Sequence, residues 1–173
     1  LPDLHEVETV LQNNSQITHV SIIHCETTTG LMNPIAETGE IVTRYEKAFI
    51  VDAMSSFGAY DINQDKLGIS YLISSSNKCI EGIPGFSFIL AKRTELEKCK
   101  NQARSLSLDL YDQWAGLNLT GQFRFTPPVQ VLLSFNEALD ELAREGSIRA
   151  RSNRYKENNS LLISGMKKLG FKV

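Results

Sequence analysis

The sequence predicts an α/β fold, a mostly parallel sheet flanked by helices, on three observations. Short, strongly apolar strand segments alternate with amphipathic helical ones, the pattern of strands buried between helical layers. Those strands end on polar residues, as in "HCETTTG", "IVD" and "LISSSNK". The chain has 173 residues, 42% hydrophobic and 22% charged, enough apolar content for about one packed domain.

The elements follow in order. "PDLHEVETVLQNN" repeats apolar residues at Leu4, Val7 and Leu11, the spacing of one helix face. "THVSIIHCE" is β-branched and predicts a strand that runs into "ETTTG". After Pro34, "IAETGEIVTRYEKA" predicts a second amphipathic helix. "AFIVD" predicts a short strand closing on Asp52, and "DKLGISYLISS" supplies the next. Gly82, Pro84 and Gly85 mark a loop, and "GFSFILAKR" predicts a further strand. "VQVLLSFNEALDELAREG" is a helix with Leu132, Phe135, Leu139 and Leu142 on one stripe and Gly146 as its stop. "RARSNRYKENNSLLISGMKKLG" predicts a long helix ending at Gly170, and "FKV" the opening of another strand. The chain begins on Leu1 inside an apparent helix, so the expectation is a piece of something longer.

Composition narrows the function. No segment approaches the ~20 apolar residues of a membrane span, and no leader opens the chain. Net charge is −2, which argues against a dedicated nucleic-acid binder. Residues 1–86 hold 4 Lys and Arg against 11 Asp and Glu, and residues 87–173 hold 14 against 9. The basic second half reads mainly as solvated helix faces. Three separated cysteines, Cys25, Cys79 and Cys99, fit a reducing cytoplasm better than a disulfide framework or a zinc site. His5, His19 and His24 lack ligand spacing, so no metal is expected.

The chemistry gathers at the strand ends. In open α/β sheets, ligands bind beyond the carboxyl ends of parallel strands. Three such ends carry Thr27, Thr28 and Thr29; Asp52; and Ser76, Asn77 and Lys78. Taken singly, each has an ordinary reading: a turn, a cap, a solvated lysine. Together they supply an amine, an acid, and hydroxyl and amide donors. Pyridoxal phosphate uses such a set, because its aldehyde condenses with a lysine and its ring nitrogen needs an acidic partner. An unpaired carboxylate closing an apolar strand also calls for a cation beside it. Rival motifs are incomplete. Ser75 to Lys78 spells S-x-x-K without the companion elements of serine acylases, and "DINQDKLGISYL" lacks the glycine and glutamate of a calcium loop. No G-x-G-x-x-G or phosphate-loop signature occurs.

"HCETTTGLMNPI", "FIVDAMSSFG", "YLISSSNKCIEGIPGFSF" and "ARSLSLDLYDQW" together resemble the class V aminotransferases, across essentially the whole chain. The resemblance implies part of the large domain of a pyridoxal 5'-phosphate enzyme of fold type I, followed by long helices leading toward a small domain. Residues 1–145 would belong to the large domain, and 146–173 to a linking helix and the start of the small one. The implied reaction moves the amino group of 2-aminoethylphosphonate to pyruvate, giving phosphonoacetaldehyde and L-alanine. Lys78 is implied as the Schiff-base lysine and Asp52 as the partner of the ring nitrogen. Thr27 or Thr29 is implied at the cofactor, with Asn77 and Thr126 as phosphate contacts, the threonine lent by the second subunit of a homodimer. Family members are about twice as long, with a phosphate turn before and a carboxylate-binding arginine after the segment covered here, so the chain alone is expected to be inactive. The alternatives are another class V enzyme, such as an alanine–glyoxylate or serine–pyruvate aminotransferase, and a non-catalytic α/β domain. A cysteine desulfurase fits less well, since Cys79 beside the lysine is poorly placed to move.

Overall fold

A computed structural model describes residues 1–172. The order of elements is α1 (Leu4–Asn13), β1 (His19–Ile23), α2 (Ile35–Arg44), β2 (Ala48–Asp52), β3 (Tyr71–Ser75), β4 (Ser87–Ala91), α3 (Arg93–Lys98), α4 (Leu110–Thr120), α5 (Val129–Glu145) and α6 (Ile148–Lys168). The strands form one sheet in the order β1-β2-β3-β4. β1, β2 and β3 are parallel, with Ile23 opposite Asp52 and Asp52 opposite Ile73.

Local chemistry explains the first layer. The Asp3 carboxylate caps α1, accepting from the backbone N–H of His5 at 2.9 Å and of Glu6 at 3.3 Å. Leu11 on the apolar stripe is buried, with Leu4 and Val7 packed beside it. On α2, Ile35, Thr38, Gly39, Ile41 and Val42 are buried and meet Phe49 and Val51 of β2. A Cβ on Gly39 would lie 2.4 Å from the Leu67 carbonyl oxygen, so this helix approaches the chain ahead of β3 too closely for any side chain. Arg44 on α2 pairs with Glu8 on α1, tying the two helices on their solvent side.

The sheet is mixed, not parallel throughout. β4 runs antiparallel to β3, with Ser75 opposite Ser87 and Tyr71 opposite Ala91. The connection between them contains no helix, and a parallel return needs a long crossover. Burial follows position in the sheet. β3 is covered on both faces, whereas His19, Ser21 and Ile23 of edge strand β1 are exposed, so covering of both faces holds only for the centre.

The second layer is α5. Phe135 packs edge-on against Phe86 at 5.1 Å and beside Phe88 at 5.5 Å, and Ala138 is buried. Leu139, assigned to this stripe by spacing, is instead 41% exposed, and Ala138 takes the inward position. α3 and α4 have no counterpart among the predicted elements. α4 is capped by Asp109 yet buries no residue in this chain. At the end of α6, the Phe171 N–H donates to the Met166 carbonyl, and Phe171 and Lys172 form no strand. The predicted strand also includes Val173, which lies outside the described residues.

Candidate active site

Parallel register sets the carboxyl ends of β1, β2 and β3 side by side, and hydrogen bonds carry the alignment one residue further. The His24 N–H donates to the Asp52 carbonyl at 2.8 Å, and the Ala53 N–H to the Ile73 carbonyl at 2.9 Å. Beyond these bonds the three chains turn away, and the turns are joined by side chains. Buried His24 shares a 2.9 Å hydrogen bond between its Nδ1 and the Ser56 hydroxyl, with Tyr60 edge-on to its ring. Burial pushes the His24 imidazole below its ordinary pKa, so it is neutral in the fold. The Thr27 hydroxyl meets that of Ser55 at 3.1 Å. The Cys79 thiol donates to the Ser55 carbonyl at 3.4 Å. Ser55 thus bridges the turn after β1 to the turn after β3.

Backbone fit closes the same junction. Gly58 has φ +99°, and a Cβ there would come within 2.7 Å of Ile80 Cδ1 and 3.2 Å of the Cys79 carbonyl carbon. Only glycine allows this approach. A tightly constrained residue of the turn after β2 therefore lies against the residues that follow Lys78.

Each predicted residue can now be placed. Asp52 is the last residue of β2, half-buried, its Oδ1 accepting the Met54 N–H at 2.9 Å. Oδ2 has no hydrogen bond and the carboxylate no ion pair among the described residues, so the cation expected beside Asp52 is not a side chain of this segment. Lys78 is exposed, and its Nζ has neither a hydrogen bond nor an ion pair among the described residues. Its carbonyl accepts the Glu81 N–H at 2.8 Å, fixing the turn. The Asn77 Oδ1 accepts from the Ser75 hydroxyl at 3.1 Å. Thr29 folds back on its own turn, accepting the Leu31 N–H at 3.4 Å, whereas Thr27 faces the β2 turn. Thr28 between them has no hydrogen-bonded partner among the described residues. Thr126 lies apart, exposed in the loop between α4 and α5 with no hydrogen bond to this cluster.

Sequence reading missed the far side of the Lys78 turn. Arg151, in the stretch read as a solvated helix face, is 2% exposed. Its Nη1 donates to the carbonyls of Cys79 at 2.9 Å and Ile80 at 3.1 Å, and its Nε to Glu145 at 2.7 Å. Arg154 joins Glu145 at 2.8 Å and Glu81 at 3.0 Å, and the Tyr155 hydroxyl donates to Glu81 at 2.5 Å. The Arg154 hydrogen bond brings the Glu145 carboxyl down to about 2, against the opposing effect of burial and with help from Arg151. Burial alone would raise Glu81, but Tyr155, Arg154 and Arg151 together hold it below the usual carboxylate range. Nothing in the sequence pattern marks Arg151 apart from its basic neighbours, because a helix of low amphipathicity gives no inward stripe.

The arrangement suits pyridoxal 5'-phosphate. An exposed amine without a partner among the described residues, a carboxylate with one oxygen still open to accept, and hydroxyls at the ends of neighbouring strands are the groups that this cofactor needs. Cys79 is less suited to attack a substrate. Burial chiefly, then the nearby Cys25 and Glu81, push its thiol up, so it stays protonated. Among the described residues, no group of three or more His, Cys, Asp or Glu side chains could hold a metal ion, and no helix is long and apolar enough to cross a membrane.

Residues 1–172 match the family model described as aminotransferase class-V. A 2-aminoethylphosphonate–pyruvate transaminase of Vibrio vulnificus (strain YJ016) is 54% identical over 171 residues, 98% of this chain and 47% of that protein. Among solved structures, the pyridoxamine–pyruvate aminotransferase of Mesorhizobium loti superposes with a TM-score of 0.80 at 29% identity, over 88% of this chain and 40% of that one. The alanine–glyoxylate aminotransferase of a Nostoc species has the same fold, with a TM-score of 0.83 at 24% identity over 99% of this chain and 46% of that one. The chain spans about half the length of the curated relatives it matches.

Proposed function

This chain belongs to the class V aminotransferase family, and on that premise we propose that the protein carrying it transfers the amino group of 2-aminoethylphosphonate to pyruvate, releasing phosphonoacetaldehyde and L-alanine. The observation that carries the reading is the joining of the Asp52 and Lys78 turns through Ser55 and Gly58, at the carboxyl ends of parallel strands. Bound pyridoxal 5'-phosphate would supply the electron sink for a broken C–H bond. Lys78 Nζ would be its covalent anchor and, once released as the donor amine takes its place, would accept the proton leaving the donor carbon. Asp52 would hold the proton on the pyridine nitrogen by stabilising its charged form. Thr27 or Thr29 would orient the ring with a hydroxyl: Thr27 faces the β2 turn, and Thr29, which only accepts the Leu31 N–H, keeps its own O–H to donate. Asn77 would bind the phosphate.

Thr126 would reach the phosphate of a second subunit. The reading of a homodimer is supported by apolar side chains in the segment that carries that residue: Leu106, Leu108, Leu119, Phe123 and Phe125 are all exposed, the first three by more than 70%. Exposed apolar side chains in such number favour association. In this reading residues 1–145 form part of the large domain and residues 146–173 lead to a smaller one, in a protein of the cytoplasm. Substrate choice rests on the 54% identity to a transaminase of that name. Of the arginines in the basic second half that could meet the phosphonate, Arg93, Arg104 and Arg124, Arg93 lies over Trp114 and Arg124 over Phe125, so those two do not argue for it.

Borohydride reduction of the cofactor-loaded protein should label one peptide, that of Lys78, and Lys78→Arg should abolish the label because a guanidinium cannot serve as the condensing amine. Label retained in that peptide by the variant would overturn the anchor. A panel of amino donors with pyruvate as acceptor tests the substrate. Rates with serine or other α-amino acids equal to that with 2-aminoethylphosphonate would leave only the broader aminotransferase reading.

A further inference from the structure

We propose that Arg151 is a positioning residue for Lys78, fixing the turn that presents the amine; this rests on the Lys78 assignment above. Lys78 ends the run Ser76–Asn77–Lys78, and the three residues after it, Cys79, Ile80 and Glu81, must reverse the chain toward Gly82. That reversal is strained. Glu81 has φ +65°, the left-handed region that a residue with a Cβ adopts at a cost. Such conformations persist where surrounding contacts over-determine them, and they gather at functional sites.

The contacts that do so come from α6, seventy residues further along the chain. Arg151 Nη1 donates to two successive carbonyls, Cys79 and Ile80, at 2.9 Å and 3.1 Å. Burying a guanidinium to 2% exposure is costly, and here Glu145 compensates at 2.7 Å, with Glu81 at 3.6 Å. Arg154 and Tyr155 hold the Glu81 carboxylate, but among the described residues neither side chain hydrogen-bonds the backbone of the turn. Lys78 Nζ itself has no partner among the described residues. Its direction is therefore set by the backbone on either side: strand β3 before it, and the two carbonyls held by Arg151 after it. A lysine could supply the charge at position 151, but not a planar fork reaching two carbonyls and Glu145 together.

The test uses the intact protein that carries this chain, with Arg151→Lys and Arg151→Gln, and Arg154→Ala as the control. Arg154 belongs to the same charged cluster yet holds no turn carbonyl. In cofactor-free protein, amide hydrogen exchange is read at Glu81 and Gly82, whose N–H groups donate to the Lys78 and Ser76 carbonyls. With pyridoxal phosphate added, the rate of borohydride trapping on Lys78 is read across pH. The Arg151 variants should exchange about tenfold faster or more at both amides, from the loss of charge-assisted bonds. They should also trap more slowly, with a displaced pH profile. Arg154→Ala should lower the thermal midpoint and leave exchange and trapping within about twofold of the parent. Exchange unchanged in the Arg151 variants, equal effects from Arg154→Ala, or failure of both Arg151 variants to fold would each overturn the proposal. The two readings fail differently. A parent protein that traps no cofactor on Lys78 refutes the anchor and this proposal with it, whereas trapped Lys78 with unaltered exchange refutes this proposal alone.

Discussion

Gly58→Ala isolates the contact that holds the β2 turn against the Lys78 turn. Two costs add at this position. The backbone is at φ +99°, where a side chain costs about 1–2 kcal/mol. The new methyl would also stand 2.7 Å from Ile80 Cδ1 and 3.2 Å from the Cys79 carbonyl carbon. The Ile80 methyl can rotate away, but Cys79 C is backbone already held by Arg151, so relief must come from moving one of the two turns. Overpacking of this kind costs about 1–3 kcal/mol, for a total of about 2–5 kcal/mol. Gly30→Ala supplies the comparison. Gly30 has φ +68° and nothing within 4 Å of where a Cβ would stand, so it should lose only the backbone share, about 1–2 kcal/mol. Urea denaturation of the two variants, compared through midpoints at a common slope, gives the difference. Gly58→Ala should be the less stable by about 1–3 kcal/mol, and should trap cofactor on Lys78 more slowly because the backbone of Cys79 is what moves. Equal losses from the two glycines would show that the close approach contributes nothing, and the joining of the two turns would then fail as an account of the site.

Other expectations bear on the same region. Asp52→Asn should fold with near-parental stability and lower kcat/KM by a factor corresponding to about 3 kcal/mol or more, since it removes charge while keeping shape; near-normal turnover would remove Asp52 from its role. Glu145 and Glu81 are both held below their unfolded values, so the unfolded chain binds more protons and stability rises with pH. Their contribution should be fully present above about pH 5 and lost as pH falls toward about 2 for Glu145. Acid denaturation curves of Glu145→Gln should accordingly be flatter over that window than those of the parent, and superimposable curves would contradict the ion-pair account. His24 is neutral in the fold with its pKa lowered by burial, so it too favours the folded state less as pH drops below 6.5. His24→Gln should remove that part of the slope, as measured by thermal midpoints between pH 5 and 8.

The sequence by itself determined the frame of this protein. The apolar runs of "AFIVD" and "SYLIS", the stripe Leu4–Val7–Leu11 and the stop at Gly146 each depend on neighbours a few residues away, and local periodicity specifies them. The same local grammar put Asp52 and Lys78 at strand ends, which was enough to suggest a site. It could not give the direction of β4, because direction depends on how the chain returns, nor could it give α4, which buries nothing in this chain and so carries no inward stripe. Tertiary structure alone decided what surrounds Lys78. Thr27 and Ser55 lie 28 residues apart, Arg151 and Cys79 lie 72 apart, and two of the buried arginine's partners are backbone carbonyls that no residue type announces. Arg149, Arg151 and Arg154 look alike in a list of letters. Which of them is buried depends on which way α6 faces when it meets the turn, and that is settled only when helix and sheet pack together.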